Sequence, residues 1–198
     1  MRPQPDAGIP APTAVLLAPG DTPTLLGSSG DDFMDTCAEG QALVGYTGDT
    51  TTVGSFSLVG ELVGHCGGLH VGAATGAGYA VTATPGVQLP LRGADTADRW
   101  TLQCPTDQFV AGISARTGTA LDQVTLQCAP ISLIATAAGW VAQVGVATAV
   151  GPVGGTGGGA GDAPCPAGQI VTMSHTRVVG SPVYLGAIGP GCSRVSGQ

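Results

Sequence analysis

The sequence contains no lysine, and its six basic residues are all arginines against thirteen acids, giving a formal charge of −7 and a pI near 4.5. Charged residues make up only 10% of the chain, well below the usual ~25%. Nucleic acid is excluded as a partner, because phosphate binding needs a basic patch to displace counterions. Electrostatic attachment to anionic lipid is excluded for the same reason. Aromatics are equally scarce: three Phe, three Tyr and two Trp. There is no C-x-x-C, no Cys/His cluster and no H-E-x-x-H, so no metal site can be read from the spacing. No cofactor motif survives either. Gly155-Thr156-Gly157-Gly158-Gly159-Ala160 fits a dinucleotide pattern formally, but Cys165-Pro166 and a strand-like run follow where a helix would have to start.

What the chain has in abundance is glycine (34), proline (15) and a mix of Val, Ala, Leu, Ile and Thr. β-branched residues between glycines favour short strands and turns, so the expected class is all-β. The charge-free stretch 131–150 has the length of a membrane helix but is made largely of Ala, Val, Gly and Thr, is interrupted by Gly139 and Gly145, and contains Gln143. It is read as strands, without membrane insertion.

The six cysteines fall into three pairs: Cys37 with Cys66, Cys104 with Cys128, and Cys165 with Cys192. The first members lie 67 and 61 residues apart, the second members 62 and 64. After each first cysteine a turn residue stands third (Gly40, Asp107, Gly168) and a glutamine fourth (Gln41, Gln108, Gln169), and an apolar run follows. Ahead of each lies another apolar run and a glycine-bearing loop: Val15-Leu16-Leu17 to Gly27-Ser28-Ser29-Gly30, Tyr79-Ala80-Val81 to Arg92-Gly93-Ala94, and Trp140-Val141-Ala142 to Gly154-Gly155-Thr156-Gly157-Gly158. A fixed period of this kind marks an internal repeat. The expected organisation is a flexible Pro-rich leader (1–13) and one domain (14–198) of three units, about 14–77, 78–138 and 139–198. Trp140 aligns with Tyr79 and Val15, which places it in packing between sheets.

Turn-forming residues lie midway between the cysteines of each copy: Gly48-Asp49-Thr50-Thr51-Thr52, Arg116-Thr117-Gly118 and Val178-Val179-Gly180. Folding there brings the two cysteines of a copy opposite one another, so pairing within copies is expected out of fifteen connectivities. Each bond would close a loop of roughly 25 residues and contribute about 3 kcal/mol. Disulfides require an oxidising compartment. The opening Met1-Arg2-Pro3-Gln4-Pro5 shows no apolar signal region. The expectation is an extracellular or cell-surface protein whose signal has been removed.

Two segments resemble the jacalin-related lectins. Val150-Gly151-Pro152-Val153-Gly154-Gly155-Thr156-Gly157-Gly158 is similar to their opening glycine-rich loop, with Val153 where an aromatic often stands. Arg116-Thr117-Gly118-Thr119-Ala120-Leu121-Asp122-Gln123-Val124 is similar to their late loop with its G-x-x-x-D motif. The cysteine-flanked hairpins, with Cys104-Pro105 at the start and Leu126-Gln127-Cys128 at the end, also resemble vitelline membrane outer layer protein. Both resemblances imply a β-prism: three antiparallel sheets in a pseudo-threefold arrangement, with one disulfide-closed hairpin per repeat. The lectin resemblance implies a non-catalytic site at one end of the prism for glycans or cell-surface polysaccharide. It would comprise Gly118, Asp122, Gly154, Gly155 and Gly157, with backbone contacts at Ala120 and Leu121. Glycine lets backbone donors approach closely, and a carboxylate accepts bonds from vicinal hydroxyls. Only the middle copy carries the motif aspartate.

The same residues fit other roles. A structural coat role needs no ligand at all, and Gly118 and Asp122 would then merely build a turn. A carbohydrate-processing enzyme would need paired carboxylates about 5–10 Å apart, for which Glu61, Asp107 and Asp122 are candidates. Asp31, Asp32 and Asp35 could offer oxygens to calcium, although their spacing is not that of an EF-hand. His65, His70 and His175 show no ligand spacing, and Gly27-Ser28-Ser29-Gly30 lacks one residue of a nucleophile elbow.

Overall fold

A computed structural model describes residues 9–22, 24–76, 78–94, 98–181 and 183–198, and the described residues form strands, turns and bends with no helix. In chain order the strands are β1 (Val15–Pro19), β2 (Leu26–Gly27), β3 (Asp31–Thr36), β4 (Gln41–Val53), β5 (Phe56–Thr75), β6 (Gly78–Gln88), β7 (Arg92–Gly93), β8 (Asp98–Gln103), β9 (Gln108–Thr117), β10 (Leu121–Thr136), β11 (Gly139–Val144), β12 (Thr148–Gly154), β13 (Gly159–Pro164), β14 (Gln169–Gly180) and β15 (Val183–Gly197). The stretch 131–150 is therefore the end of β10, all of β11 and the start of β12.

Each repeat supplies one hairpin, β4–β5, β9–β10 or β14–β15, and each hairpin forms the centre of an antiparallel sheet. The outer strands come from the next repeat. β8 and β7 flank the first hairpin, β13 and β12 the second, and β3 and β2, from the start of the chain, flank the third. The three sheets of the prism are thus interlocked in a ring rather than assigned one to a repeat. The long return strands β5, β10 and β15 run on past the sheets and pair with β6, β11 and β1 to form a cap at one end.

The exchange determines what the disulfides do. All three within-copy bonds are present: Cys37–Cys66, Cys104–Cys128 and Cys165–Cys192. Each first cysteine follows an outer strand of the neighbouring sheet, where its N–H donates to Thr172 O, Val44 O or Ala111 O respectively. Its sulfur partner lies on the return strand of its own hairpin, so each bond staples two adjacent sheets. Opposite the second cysteines stand Leu43, Val110 and Val171, not the first cysteines. The hairpins therefore turn later than the cysteine midpoints suggest, at Gly54-Ser55, at Gly118–Ala120 and beside Ser181.

Symmetry-related side chains meet on the axis. Tyr46, Ile113 and Ser174, each nine residues after its first cysteine, are all buried, and the Tyr46 hydroxyl donates to Ser174 Oγ at 2.8 Å. A large, a medium and a small residue thus share one buried layer. Two of the three repeated glutamines tie hairpins to the leading segments of the following copy. Gln41 Oε1 accepts from Val87 N–H, and Gln169 Oε1 accepts from Asp21 N–H. A second core fills the cap, where Tyr79 meets Trp140 edge-to-face at 5.4 Å and Val15 packs alongside. The Trp140 indole N–H donates to Pro10 O, and Ile9 packs on the same core. Residues 1–8 of the expected leader lie outside the described residues.

Candidate functional site

At the end of the prism away from the cap, the three return strands each carry one extra residue in the ladder. These bulges fall at Gly60, Asp122 and Gly186, between the register steps that follow Asp49, Leu121 and Arg177. Against each lies a glycine of the exchanged strand with positive φ: Gly93 (94°), Gly154 (100°) and Gly27 (96°). An added Cβ on any of them would run into the backbone carbonyl of the bulge residue, so only glycine fits. Two of the three symmetry-related bulges are glycine. The middle one is an aspartate.

The middle hairpin is also the shortest. Its ladder ends at Thr117 opposite Leu121, whereas the first hairpin continues to Val53 opposite Phe56 and the third to Gly180 opposite Val183. The shortfall leaves a depression of about 230 Å³ over the β9–β10 turn. Its floor and one side are Gly118, Thr119, Ala120, Asp122, Gly157 and Gly158, and its other walls are Val53, Phe56, Leu58 and Tyr184 from the two longer hairpins. Phe56 is 62% exposed, so an aromatic side chain is open to solvent beside the glycine loop.

Asp122 is 6% exposed. Its carboxylate lies so close over Gly157 and Gly158 that a Cβ on either would collide with its oxygens. Burial pushes its pKa up from the usual carboxylate value, and the positive charge of Arg116 pulls it partly back. Arg116 organises the loop from below. Its Nε donates to Thr156 O (3.1 Å) and Gly157 O (2.8 Å), and its Nη2 to Gly158 O (2.8 Å). Gln123 Nε2 donates to Gly155 O at 2.7 Å, and Gly155 N–H to Asp122 O at 2.7 Å. With its carbonyls occupied by donors, the loop holds a fixed shape beside the depression.

Of the residues expected from the sequence, Gly118, Ala120, Asp122 and Gly157 come together on the depression. Leu121 is fully buried in the prism core. Gly154 and Gly155 stand behind the loop, Gly154 paired with Gln123 and Gly155 packed on the backbone of Ser57. Gly158, within the glycine loop the sequence pointed to, also lines the depression, while Phe56 and Tyr184 in its walls and Arg116 beneath the loop were not expected from the sequence. The unequal cysteine separations of 29, 24 and 27 residues carry the signal for the short middle hairpin. The aromatics beside the other two turns carry the signal for the walls.

Several of the remaining candidates have structural partners. Asp32 binds Arg177 and His175 (both 2.8 Å), and Asp35 holds Arg92 in a bidentate pair at 2.6 and 2.7 Å. Among the described residues no group of three or more His, Cys, Asp or Glu is placed to hold a metal. His65 and His70 bond Thr47 and Thr84. Burial lowers the pKa of His65. Asp107 accepts from Ala83 N–H at the cap end of the ten-residue strand β9, with Asp122 beyond its other end, about 30 Å away at strand rise. Those two carboxylates cannot act as a hydrolytic pair. Gly27-Ser28-Ser29-Gly30 leads into strand β3, and Trp100 packs partly buried on the prism core.

No protein-family model and no curated protein sequence matches the chain. Among solved structures, the agglutinin of Calystegia sepium is similar over 96% of this chain and 99% of its own, with a TM-score of 0.50 at 14% identity. The Calsepa lectin, solved in complex with a biantennary N-glycan, is similar over 96% and 100% with a TM-score of 0.50 at 15% identity. The likeness to vitelline membrane outer layer protein rests on the cysteine-flanked hairpins alone. Three interlocked antiparallel sheets around a pseudo-threefold axis, shared nearly end to end with these lectins, give the chain the β-prism fold of the jacalin-related lectins.

Proposed function

We propose that this chain is an extracellular, non-catalytic carbohydrate-binding module, and that it takes neutral glycans in the depression over the β9–β10 turn. The carrying observation is the shortened middle hairpin. It leaves a notch where a carboxylate, a glycine backbone and the exposed ring of Phe56 face one volume. Vicinal hydroxyls suit the Asp122 carboxylate and the loop N–H groups, and the apolar C–H face of a pyranose suits Phe56. The acidic net charge and the engagement of Arg116 with loop carbonyls disfavour sulfated or sialylated sugars. The three disulfides fit an oxidising, extracellular setting. The neighbouring lectin solved with a glycan supports the class of ligand. Residues 14–198 would form the module, with residues 9–13 docked on its cap.

The test is a glycan array followed by calorimetry on wild type and Asp122→Ala. The expected result is one or more neutral glycans whose titration is lost in the variant. Equal titration by both proteins removes the site from this loop. A second reading is favoured by the near-complete burial of Asp122: the carboxylate seats the glycine loop, and the protein serves as a durable coat component. Absence of binding across the array supports that reading.

A further inference from the structure

We propose that Arg116 is the positioning residue of the candidate site: its guanidinium, released from the strand-to-strand ion pair that holds its counterparts, sets the backbone of loop 156–158 facing the depression. The threefold repeat supplies its own controls. Arg116 stands twelve residues after Cys104, and the equivalent positions after Cys37 and Cys165 are Asp49 and Arg177. Each of those two faces an opposite charge on the flanking strand. Asp49 is opposite Arg99, with Nε–Oδ1 3.9 Å, and Arg177 is opposite Asp32, with Nε–Oδ1 2.8 Å. The middle copy breaks the pattern, because the residue opposite Arg116 is Ala160, which is exposed and carries no charge.

Freed in this way, Arg116 turns to the loop. It donates to the carbonyls of three consecutive residues, Thr156, Gly157 and Gly158. A guanidinium presents several donors in a rigid plane and can span such a set, while an ammonium is a compact point charge. Fixing three carbonyls fixes the orientation of the peptide planes between them, and hence of the loop that Asp122 covers. Two of the three residues, Gly157 and Gly158, have no side chain to stiffen the backbone, so loss of these bonds would widen the range of backbone conformations open to them. Positioning of this kind preserves affinity by reducing the ordering cost of binding.

The glycan arm of the test rests on the function proposed above, so a sugar-free arm is run beside it. Two variants are compared with wild type: Arg116→Lys, which keeps the charge and loses the planar fork, and Ala160→Asp, which restores the missing partner across the strand and draws Arg116 off the loop. Ala160→Asp should not lower the melting temperature. In both variants, hydrogen exchange at the amides of Gly157 and Gly158 should quicken by roughly tenfold, and affinity for an array-identified neutral glycan should fall by roughly tenfold. Unchanged exchange in both variants overturns the inference, whatever the sugar result. If wild type binds no glycan, the functional reading fails on its own, and quickened exchange still assigns the loop to Arg116. Glycan binding by wild type with equal affinity in both variants also overturns it.

Discussion

Tyr46 donates its hydroxyl to Ser174 Oγ at 2.8 Å across the pseudo-threefold axis, joining the hairpins of the first and third repeats inside the prism. The bond exists because one symmetry-related position took the smallest hydroxyl side chain and left room for the largest. Both residues are buried, 0% exposed for Tyr46 and 3% for Ser174. Ser174→Ala leaves the phenol unpaired and should cost about 1–3 kcal/mol. Tyr46→Phe in the same background removes the orphaned hydroxyl and should recover most of that loss. Urea denaturation of the single and double variants measures both, and additive losses would contradict the pairing.

The disulfides join neighbouring sheets, so their removal should loosen the ring of exchanged strands. Replacing Cys104 and Cys128 together by serine opens a link with a separation of 24 residues. It should cost about 3 kcal/mol, or roughly 6–12 °C in melting temperature. Scanning calorimetry reads the change. A melting temperature equal to wild type would show that the sheets hold without the staple.

Asp32 lies between Arg177 and His175 on the outer strand of the third sheet. Their hydrogen bonds, that from Arg177 foremost, lower its pKa from 3.8 to about 2. A carboxyl depressed in the folded state contributes stability above its unfolded pKa and loses that contribution as pH falls through the folded value. The melting-temperature difference between wild type and Asp32→Asn should therefore be present at pH ~6 and shrink between about pH 4 and about pH 2. A difference that stays constant across that range would contradict the linkage. The pair is exposed, so added salt should reduce the difference near neutral pH as well.

Much of this architecture was legible in the residues themselves. The Cys-x-x-[Gly/Asp]-Gln spacing located the start of each hairpin, and the alignment of Trp140 with Tyr79 and Val15 pointed to shared packing, which the structure puts in the cap. The disulfide pairing followed from the repeat. The strand exchange did not, because which sheet β3 or β8 joins depends on pairing across more than a hundred residues or between copies, and local periodicity carries no such information. Reading the two cysteines as directly opposed set the turns too early, since each first cysteine belongs to the neighbouring sheet. Asp122, Gly118 and Gly157, which meet at one depression, could be singled out as candidates because the two lectin-like segments are local. Phe56 and Tyr184 were hidden because they reach the same depression from hairpins more than sixty residues away on either side of Gly118.

Phe56 owes its place to the length of the first hairpin, and its ring is mostly in solvent. Phe56→Ala should therefore leave the melting temperature within about 1 °C, since exposed substitutions away from packed features cost little. It should weaken glycan binding about tenfold if the ring stacks on the sugar, a loss of about 1.4 kcal/mol. Calorimetric titration beside a thermal melt separates the two effects. Full affinity in the variant would remove the aromatic wall from the site.

Amide chemical-shift mapping with a neutral glycan from the array tests the central claim most directly, since every residue of the unequal-hairpin end reports at once. The account predicts shifts confined to Gly118, Ala120, Asp122, Gly157 and Gly158, with Phe56 and Tyr184 moving from the neighbouring hairpins and the cap around Trp140 silent. Shifts centred on the cap, or on the equivalent turns of the first and third copies without the middle one, would contradict it.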